Sequence, residues 1–198
     1  MMGDRPIRDS HKKRCRRFDM PGHAHALTFS CFNRRPFLNC DRACGWLIEA
    51  IRRAREKHEF DLWAWVIMPE HAHLLIQPRR YEYSISAILK TIKQSVSTVA
   101  IRHVRENRPT FLTRMTDVRA DGSTSSRFWQ RGGGYDRNLW SARYVWEMID
   151  YIHANPVRRQ LADNQFTWRW SSAITFEDVT RGEIDLNLDS LPDDPRER

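Results

Sequence analysis

The sequence predicts an α+β fold in which an antiparallel sheet carries helices on one face. Strand-like and helix-like hydrophobic patterns alternate between residues 21 and 175. Two short β-rich runs are separated only by Pro69-Glu70, which is a hairpin signal. The predicted order is β-α-β-β-α-β, followed by one more helix that bears a tyrosine. Two crossings around a central hairpin are typical of the ferredoxin-like arrangement.

The first half of this pattern consists of one strand, one helix and the hairpin. "HAHALTFSCF" alternates like a strand and places Leu27, Phe29 and Cys31 on one face. Asp41 is expected to cap a helix that runs to about His58, because apolar residues recur through it at helical spacing. "DLWAWVIM" and "HAHLLIQP" are the two strands of the hairpin.

The second half contains two further helices and one strand. Ser84 is expected to cap a long helix whose buried side holds six apolar residues: Ile85, Ile88, Leu89, Ile92, Val96 and Val99. "SSRFWQ" is predicted to be the last strand, and the three glycines at 132–134 a flexible break. Ser141 caps the third helix, which Pro156 is expected to end.

Composition favours an anionic partner inside the cell. The net charge is +8 and the pI about 9.7, and nucleic acid is the first candidate because neutralised phosphates release counterions. No run of 18 apolar residues or secretory signal occurs in the sequence, which predicts a cytoplasmic protein that does not enter a membrane. The four cysteines lack a paired CxxC arrangement, so reduced thiols are expected and a zinc site is not.

The two ends of the chain differ in charge from the middle. Residues 1–20 carry seven Lys and Arg against three Asp, and residues 177–198 carry eight acids against three arginines. Neither end shows apolar periodicity, which indicates mobile tails or surface wraps. The sequence therefore predicts a basic segment at 1–20, one domain at 21–175 and an acidic tail at 176–198.

Two histidines lie in the apolar run "WVIMPEHAHLLIQP". Residues i and i+2 of a strand point the same way, with Cβ atoms roughly 6–7 Å apart. His71 and His73 therefore share a face and can bind one ion, whereas Ala72 faces the other side. The spacing alone more often belongs to a histidine pair without metal. His23 and His25 have the same spacing and are interpreted as structural.

The third helix carries Tyr151 on the flank of its apolar stripe. This tyrosine falls about 110° from the middle of the stripe, with Glu147 and Asn155 one turn before and after it. A flank tyrosine beside two polar neighbours is poorly placed as core filling. The alternative is a tyrosine that only extends its hydroxyl into water.

Four ordered motifs carry a family resemblance: "WVIMPEHAHLLIQP", "FWQRGGGYDRNL", "YIHANPVRRQL" and "WRWSS". They resemble the REP-associated tyrosine transposases, single-strand transposases of the HUH endonuclease superfamily. The resemblance covers about residues 21–175. It implies a ferredoxin-like core, a divalent metal (Mg²⁺ or Mn²⁺), and cleavage of single-stranded DNA beside a hairpin through a 5′-phosphotyrosine in DNA transposition.

The resemblance also assigns roles by position. His71 and His73 match the metal-binding pair, and Tyr151 matches the nucleophile. In related transposases a glutamine at the position of Asn155 completes the metal site. The resemblance therefore implies Asn155, which is one methylene shorter, as the third ligand, with Glu147 or water as the alternatives. Family members often carry histidine at the position of Arg137. Tyr135 and Tyr144 are rival nucleophiles that rank below Tyr151.

The expected partner is single-stranded or hairpin DNA, with no nucleotide cofactor. The candidate contacts are basic: Arg34, Arg35, Lys90, Lys93, Arg131 and Arg137. Each also fits an ordinary solvated surface. Trp129 and Trp140 are candidates to stack on unpaired bases. The basic N-terminal segment could become ordered on the hairpin, and the acidic tail could fold over the cleft as a DNA mimic. The expected oligomeric state is a monomer, with a dimer as the alternative.

Two other functions fit parts of the sequence. A non-catalytic DNA- or RNA-binding protein on the same fold would keep the basic surface and need neither the metal nor the tyrosine. A zinc-dependent hydrolase would use the histidine pair, but the sequence lacks the H-E-x-x-H spacing of such enzymes.

Overall fold

The computed structural model describes residues 18–196. The strands are β1 (Ala24–Ser30), β2 (Phe60–Met68), β3 (His71–Pro78), β4 (Thr116–Val118), β5 (Thr124–Ser126) and β6 (Tyr135–Leu139). The helices are α1 (Asp41–His58), α2 (Ile85–Asn107), α3 (Ala142–Arg158) and α4 (Ala173–Glu177). Short 3₁₀ turns join several of them.

The main sheet is antiparallel and has the strand order β2-β3-β1-β6. The predicted α+β class, the antiparallel sheet and the β2–β3 hairpin at Pro69-Glu70 are confirmed. The face assignment of the hairpin is also correct, because Ala72, Leu74 and Ile76 all lie in the core under the helices.

The last strand differs from the prediction. "SSRFWQ" does not join the sheet as a strand: its first residues end β5, which pairs only with β4, and Phe128 and Trp129 are buried in the core. The strand that pairs with β1 is β6, immediately after the three glycines. Burial of the two aromatic rings fixes the chain before the glycine turn, which then returns it to the sheet edge.

The helices occupy both faces of the sheet. Helices α1 and α2 pack against each other and against one face, as predicted for the ferredoxin-like core. The tyrosine-bearing helix α3 covers the opposite face, where Val145, Ile149 and Ile152 pack on Ala26 and Leu75. This second core therefore holds α3 on the face that also carries the two histidines.

The helix ends confirm two predicted caps and correct two others. Ser84 and Ser141 accept hydrogen bonds from the first turns of α2 and α3. Asp41 does not cap α1: it is the first helical residue, and its carboxylate accepts from Trp170 Nε1 at 3.2 Å. Pro156 does not end α3, which continues to Arg158.

The helix tolerates Pro156 because a side chain replaces the missing donor. Proline has no backbone N–H to donate to the carbonyl oxygen of Ile152, four residues earlier. The Nδ2 of Asn155 lies 3.5 Å from that oxygen, at the limit of a hydrogen bond, and 2.7 Å from the carbonyl oxygen of Tyr151. The Asn155 side chain therefore supplies a hydrogen-bond donor to the helix carbonyl groups around the proline.

The acidic tail runs along the outer edge of β2 and then onto α3. Asn187 exchanges hydrogen bonds with Leu62, Ile184 is buried in the core, and Arg52 of α1 donates to the Glu183 carbonyl. Beyond Asn187 the tail passes onto α3, where Trp146 donates to the Pro192 carbonyl and Arg196 pairs with Asp150. None of residues 176–196 lines the cleft, so the prediction that the tail folds over it is wrong. The predicted basic segment lies outside the described residues, except for residues 18–20.

The described part of the chain contains no helix that combines the length and the apolar character needed to cross a bilayer.

Candidate active site

The sheet register places His71 and His73 at one end of the α3-covered face. His73 pairs with Thr28 of β1, and His71 pairs with Ser30. Both histidines lie on the face opposite Ala72, as alternation along a strand requires. They line a cleft of about 340 Å³ that is completed by residues of α3 and of the β1 end: Thr28, Ser30, Arg34, Glu70, Tyr151, Asn155, Arg158 and Arg159.

The two imidazoles point their Nε2 atoms at each other, 3.0 Å apart. Both Nδ1 atoms have other partners: that of His71 donates to Glu70 Oε1 at 3.2 Å, and that of His73 is 2.7 Å from Thr28 Oγ1. Two nitrogen ligands at about 2.1 Å from one cation and at a right angle lie about 3.0 Å apart. The pair therefore fits a single divalent cation.

Burial keeps this histidine pair uncharged. Desolvation, together with the neighbouring His71, lowers the pKa of His73 to about 3. Desolvation also lowers the pKa of His71, although the Glu70 carboxylate acts against this. Both rings are therefore neutral at neutral pH, which is the form that binds metal.

Tyr151 lies beside the histidines on the α3 wall of the cleft. Its ring meets the His73 ring edge-on, with centroids 5.7 Å apart, and the Arg158 guanidinium lies 5.4 Å from the centre of the tyrosine ring. The tyrosine remains 42% exposed, so its hydroxyl is not sealed in the core. The structure thus brings together the three residues that the sequence analysis singled out.

Of the two candidates for the third ligand, only Asn155 lines the cleft. Both of its hydrogen bonds to the helix use the amide nitrogen, so they do not require the carbonyl oxygen Oδ1. Glu147 is one turn earlier, where its carboxylate accepts from Arg143 at 2.8 Å on the exposed side of α3. Within residues 18–196 no three His, Cys, Asp or Glu side chains form a metal-binding group.

Sequence reasoning missed Glu70 and Arg159, which connect the hairpin to the tyrosine helix. Arg159, directly after α3, places Nη2 3.0 Å from Glu70 Oε1, the same oxygen that accepts from His71. The position of Glu70 next to His71 was the only signal available. Thr28 was missed as well, since its role depends on the pairing of β1 with β3.

The predicted DNA contacts do not form one patch. Arg34 lines the cleft, whereas Arg35 donates to the carbonyl of Arg114 at 2.5 Å. Lys90, Lys93 and Arg131 line a separate groove between α2 and the 126–133 segment. Lys93 donates there to the carbonyls of Gln130 and Gly132, and Arg131 pairs with Asp117. The sixth predicted contact, Arg137, is exposed on β6.

The two candidate stacking tryptophans differ. Trp129 is 4% exposed and donates its Nε1 to the Lys93 carbonyl, so the prediction that it meets bases is wrong. Trp140 is 65% exposed.

The other His-x-His pair has a structural role at its second residue. His25 is fully buried, with Nδ1 2.9 Å from Asp136 Oδ1 and Nε2 2.8 Å from the Tyr83 hydroxyl. Its two ring nitrogens are thus both engaged by protein groups, which agrees with the interpretation of this pair as structural.

Comparison with known proteins agrees with the fold and gives the family of this chain. A solved REP-associated tyrosine transposase bound to a REP hairpin is similar with a TM-score of 0.65 and 21% identity, over 87% of this chain and 88% of that chain. A candidate transposase of Deinococcus radiodurans R1 matches at a TM-score of 0.41 and 17% identity, over 73% and 97%. No curated protein matches. The family model described as "Transposase IS200 like" matches residues 22–159, and the chain therefore belongs to the IS200-like transposases.

Proposed function

We propose that this transposase cuts and rejoins single-stranded DNA next to a hairpin through a covalent bond to Tyr151. The observation that carries the proposal is the edge-on contact of Tyr151 with His73, at 5.7 Å between ring centroids, in one open cleft. One chain supplies both the histidine pair and the tyrosine, so a monomer is sufficient for the reaction.

His71 and His73 would hold a divalent cation, Mg²⁺ or Mn²⁺, with Asn155 as the protein's third ligand. Such an ion, when bound, withdraws charge from the scissile phosphate and aligns it. The chain's own part is to present two neutral imidazoles in a fixed orientation. Glu70 and Thr28 fix that orientation by holding the two Nδ1 atoms.

The reaction that we propose is a transesterification. The phenol oxygen of Tyr151 forms a bond to phosphorus while the bond to the 3′ oxygen breaks, which leaves a free 3′-hydroxyl and a 5′-phosphotyrosine. The phenol proton leaves to solvent, and the leaving 3′ oxygen gains one. Because the covalent link keeps the phosphodiester energy, a second 3′-hydroxyl can reverse the step, and no nucleotide cofactor is required.

The surroundings of Tyr151 suit an anionic substrate. Arg34, Arg158 and Arg159 all line the cleft and can neutralise phosphates on either side of the scissile bond. The related structure with a TM-score of 0.65 holds a REP hairpin, which supports a hairpin as the partner here.

The proposal is tested with an end-labelled single strand that carries a hairpin and a flanking segment. We expect a labelled protein band that survives denaturation, a shorter fragment with a 3′-hydroxyl, and loss of both when EDTA removes divalent ions. A protein that binds the hairpin but leaves it uncut under every divalent ion would instead be the non-catalytic binding protein considered above.

Glu70 is expected to strengthen metal binding through its hydrogen bond to His71. Glu70→Ala removes the acceptor of His71 Nδ1 and should weaken Mn²⁺ binding by about 10- to 100-fold, the usual effect of losing such a partner. Isothermal titration of the protein with Mn²⁺ measures this without any DNA.

Two variants serve as controls for that prediction. Arg159→Ala removes the ion pair but leaves the hydrogen bond to His71, so it should change Mn²⁺ affinity less than Glu70→Ala. Glu147→Ala should not change it, because this carboxylate pairs with Arg143 on the exposed side of α3. A large loss of affinity in Glu147→Ala would show that Glu147 is a ligand after all.

A further inference from the structure

A row of three aromatic rings and one cation runs from the edge of the cleft along β6 to the start of α3, at the opposite end of the sheet, and only Tyr144 in it is half-buried. It consists of Tyr135, Arg137, Tyr144 and Trp140, and we call it the aromatic row. Tyr135 is 54% exposed and Trp140 65%, which is unusual for side chains of this size. Large exposed apolar groups of this kind mark interaction sites when they lie together.

Contacts hold three members of the aromatic row in place: Trp140, Tyr144 and Arg137. The Trp140 and Tyr144 rings meet edge-on with centroids 5.3 Å apart, and the Arg137 guanidinium lies 5.7 Å from the centre of the Tyr144 ring. Trp140 also touches the His23 ring, at 6.3 Å. Trp140 and Tyr144 therefore present fixed planar surfaces, with the positive charge of Arg137 beside them.

The aromatic row is continuous with the cleft through the sheet register. Tyr135 pairs with Thr28, and Thr28 pairs with His73 and contacts its Nδ1. Tyr135 and Arg137 are two residues apart and so share one face of β6, the face of His73. Two strand spacings of about 4.8 Å place Tyr135 roughly 10 Å from His73, about the distance that one or two nucleotides span.

We propose that the aromatic row binds the single-stranded DNA that runs on from the scissile phosphate, with bases stacked on Tyr135 and Trp140 and a phosphate at Arg137. The inference rests on the proposed function. Every base has a π-face, so flat side chains can bind a strand without reading its sequence, and Arg137 can pair with a backbone phosphate. Continuity with the cleft also favours DNA over a second copy of this chain.

The test compares a hairpin that has a single-stranded flank with the same hairpin without one. Tyr135→Ala and Trp140→Ala should each weaken binding of the flanked hairpin by about tenfold and leave binding of the bare hairpin unchanged. Tyr135→Phe should keep wild-type affinity for the flanked hairpin, because a phenyl ring still stacks. Tyr81→Ala is the matched control: Tyr81 is 80% exposed, after the far end of β3, and its loss should change neither affinity.

Two outcomes would contradict the proposed DNA-binding role of the aromatic row. One is unchanged affinity of Tyr135→Ala and Trp140→Ala for the flanked hairpin, and the other is an equal loss on both DNAs. A change of oligomeric state in Trp140→Ala without loss of flank affinity would assign the row to a protein contact instead. The proposed function fails separately, if the wild-type protein binds the flanked hairpin but forms no covalent adduct.

Discussion

Tyr151→Phe is expected to bind hairpin DNA as tightly as the wild type and to form no covalent adduct. The substitution removes only the hydroxyl, so the ring contact with His73 and the nearby Arg158 are kept. Without that oxygen no phosphotyrosine can form, and adduct yield should fall by at least about a thousandfold. Denaturing electrophoresis of labelled DNA and a gel-shift assay measure the two effects side by side.

The rival tyrosines are the matched controls for this variant. Tyr144→Phe and Tyr135→Phe remove the same atom from the same side chain, but neither residue lines the cleft that holds the histidines. Both should keep the adduct. An adduct of normal yield in Tyr151→Phe would mean that another residue attacks the phosphate.

Gly134→Ala is expected to destabilise the protein strongly and to disturb the histidine pair. Gly134 has a φ of +76°, and a Cβ there would lie 2.1 Å from the Thr28 carbonyl oxygen. Left-handed strain and the collision with backbone together should cost about 2–5 kcal/mol of unfolding free energy. Because Thr28 also contacts His73, Mn²⁺ affinity should fall as well. Urea denaturation and metal titration measure the two effects.

Gly132→Ala is the control that distinguishes backbone strain at a positive φ from collision of the new Cβ with the Thr28 backbone. Gly132 has a similar φ of +86°, but a Cβ there would meet nothing within 4 Å. This variant should lose only about 1 kcal/mol and keep its metal affinity. Equal destabilisation by the two variants would show that the contact with Thr28 is not what requires glycine at position 134.

Local sequence patterns predicted those parts of the fold that local contacts determine. The caps at Ser84 and Ser141, the Pro69-Glu70 hairpin and the alternation of β3 all depend on neighbours in sequence, and all are confirmed. Strand β6 was missed because "YDRNL" has only five residues and lacks the apolar alternation of a strand. Its buried Asp136 pairs through Oδ1 with His25, which lies 111 residues earlier.

The candidate site could be predicted only in part, because it too depends on contacts between residues that are far apart in sequence. Spacing placed His71 and His73 on one face, and periodicity placed Tyr151 on a helix flank. Neither could show that α3 packs on the histidine face, which follows from the contacts of Val145 and Ile149 with the sheet. The link from His71 through Glu70 to Arg159 spans two elements far apart in sequence.

Mapping the residue that becomes attached to DNA tests the central claim most directly. The wild-type protein would be incubated with flanked hairpin DNA and Mn²⁺, digested with protease and nuclease, and analysed by tandem mass spectrometry. We predict one phosphonucleotide-bearing peptide, modified at Tyr151. Attachment at Tyr135, Tyr144 or any other residue, or cut DNA with no attached peptide, would contradict the account.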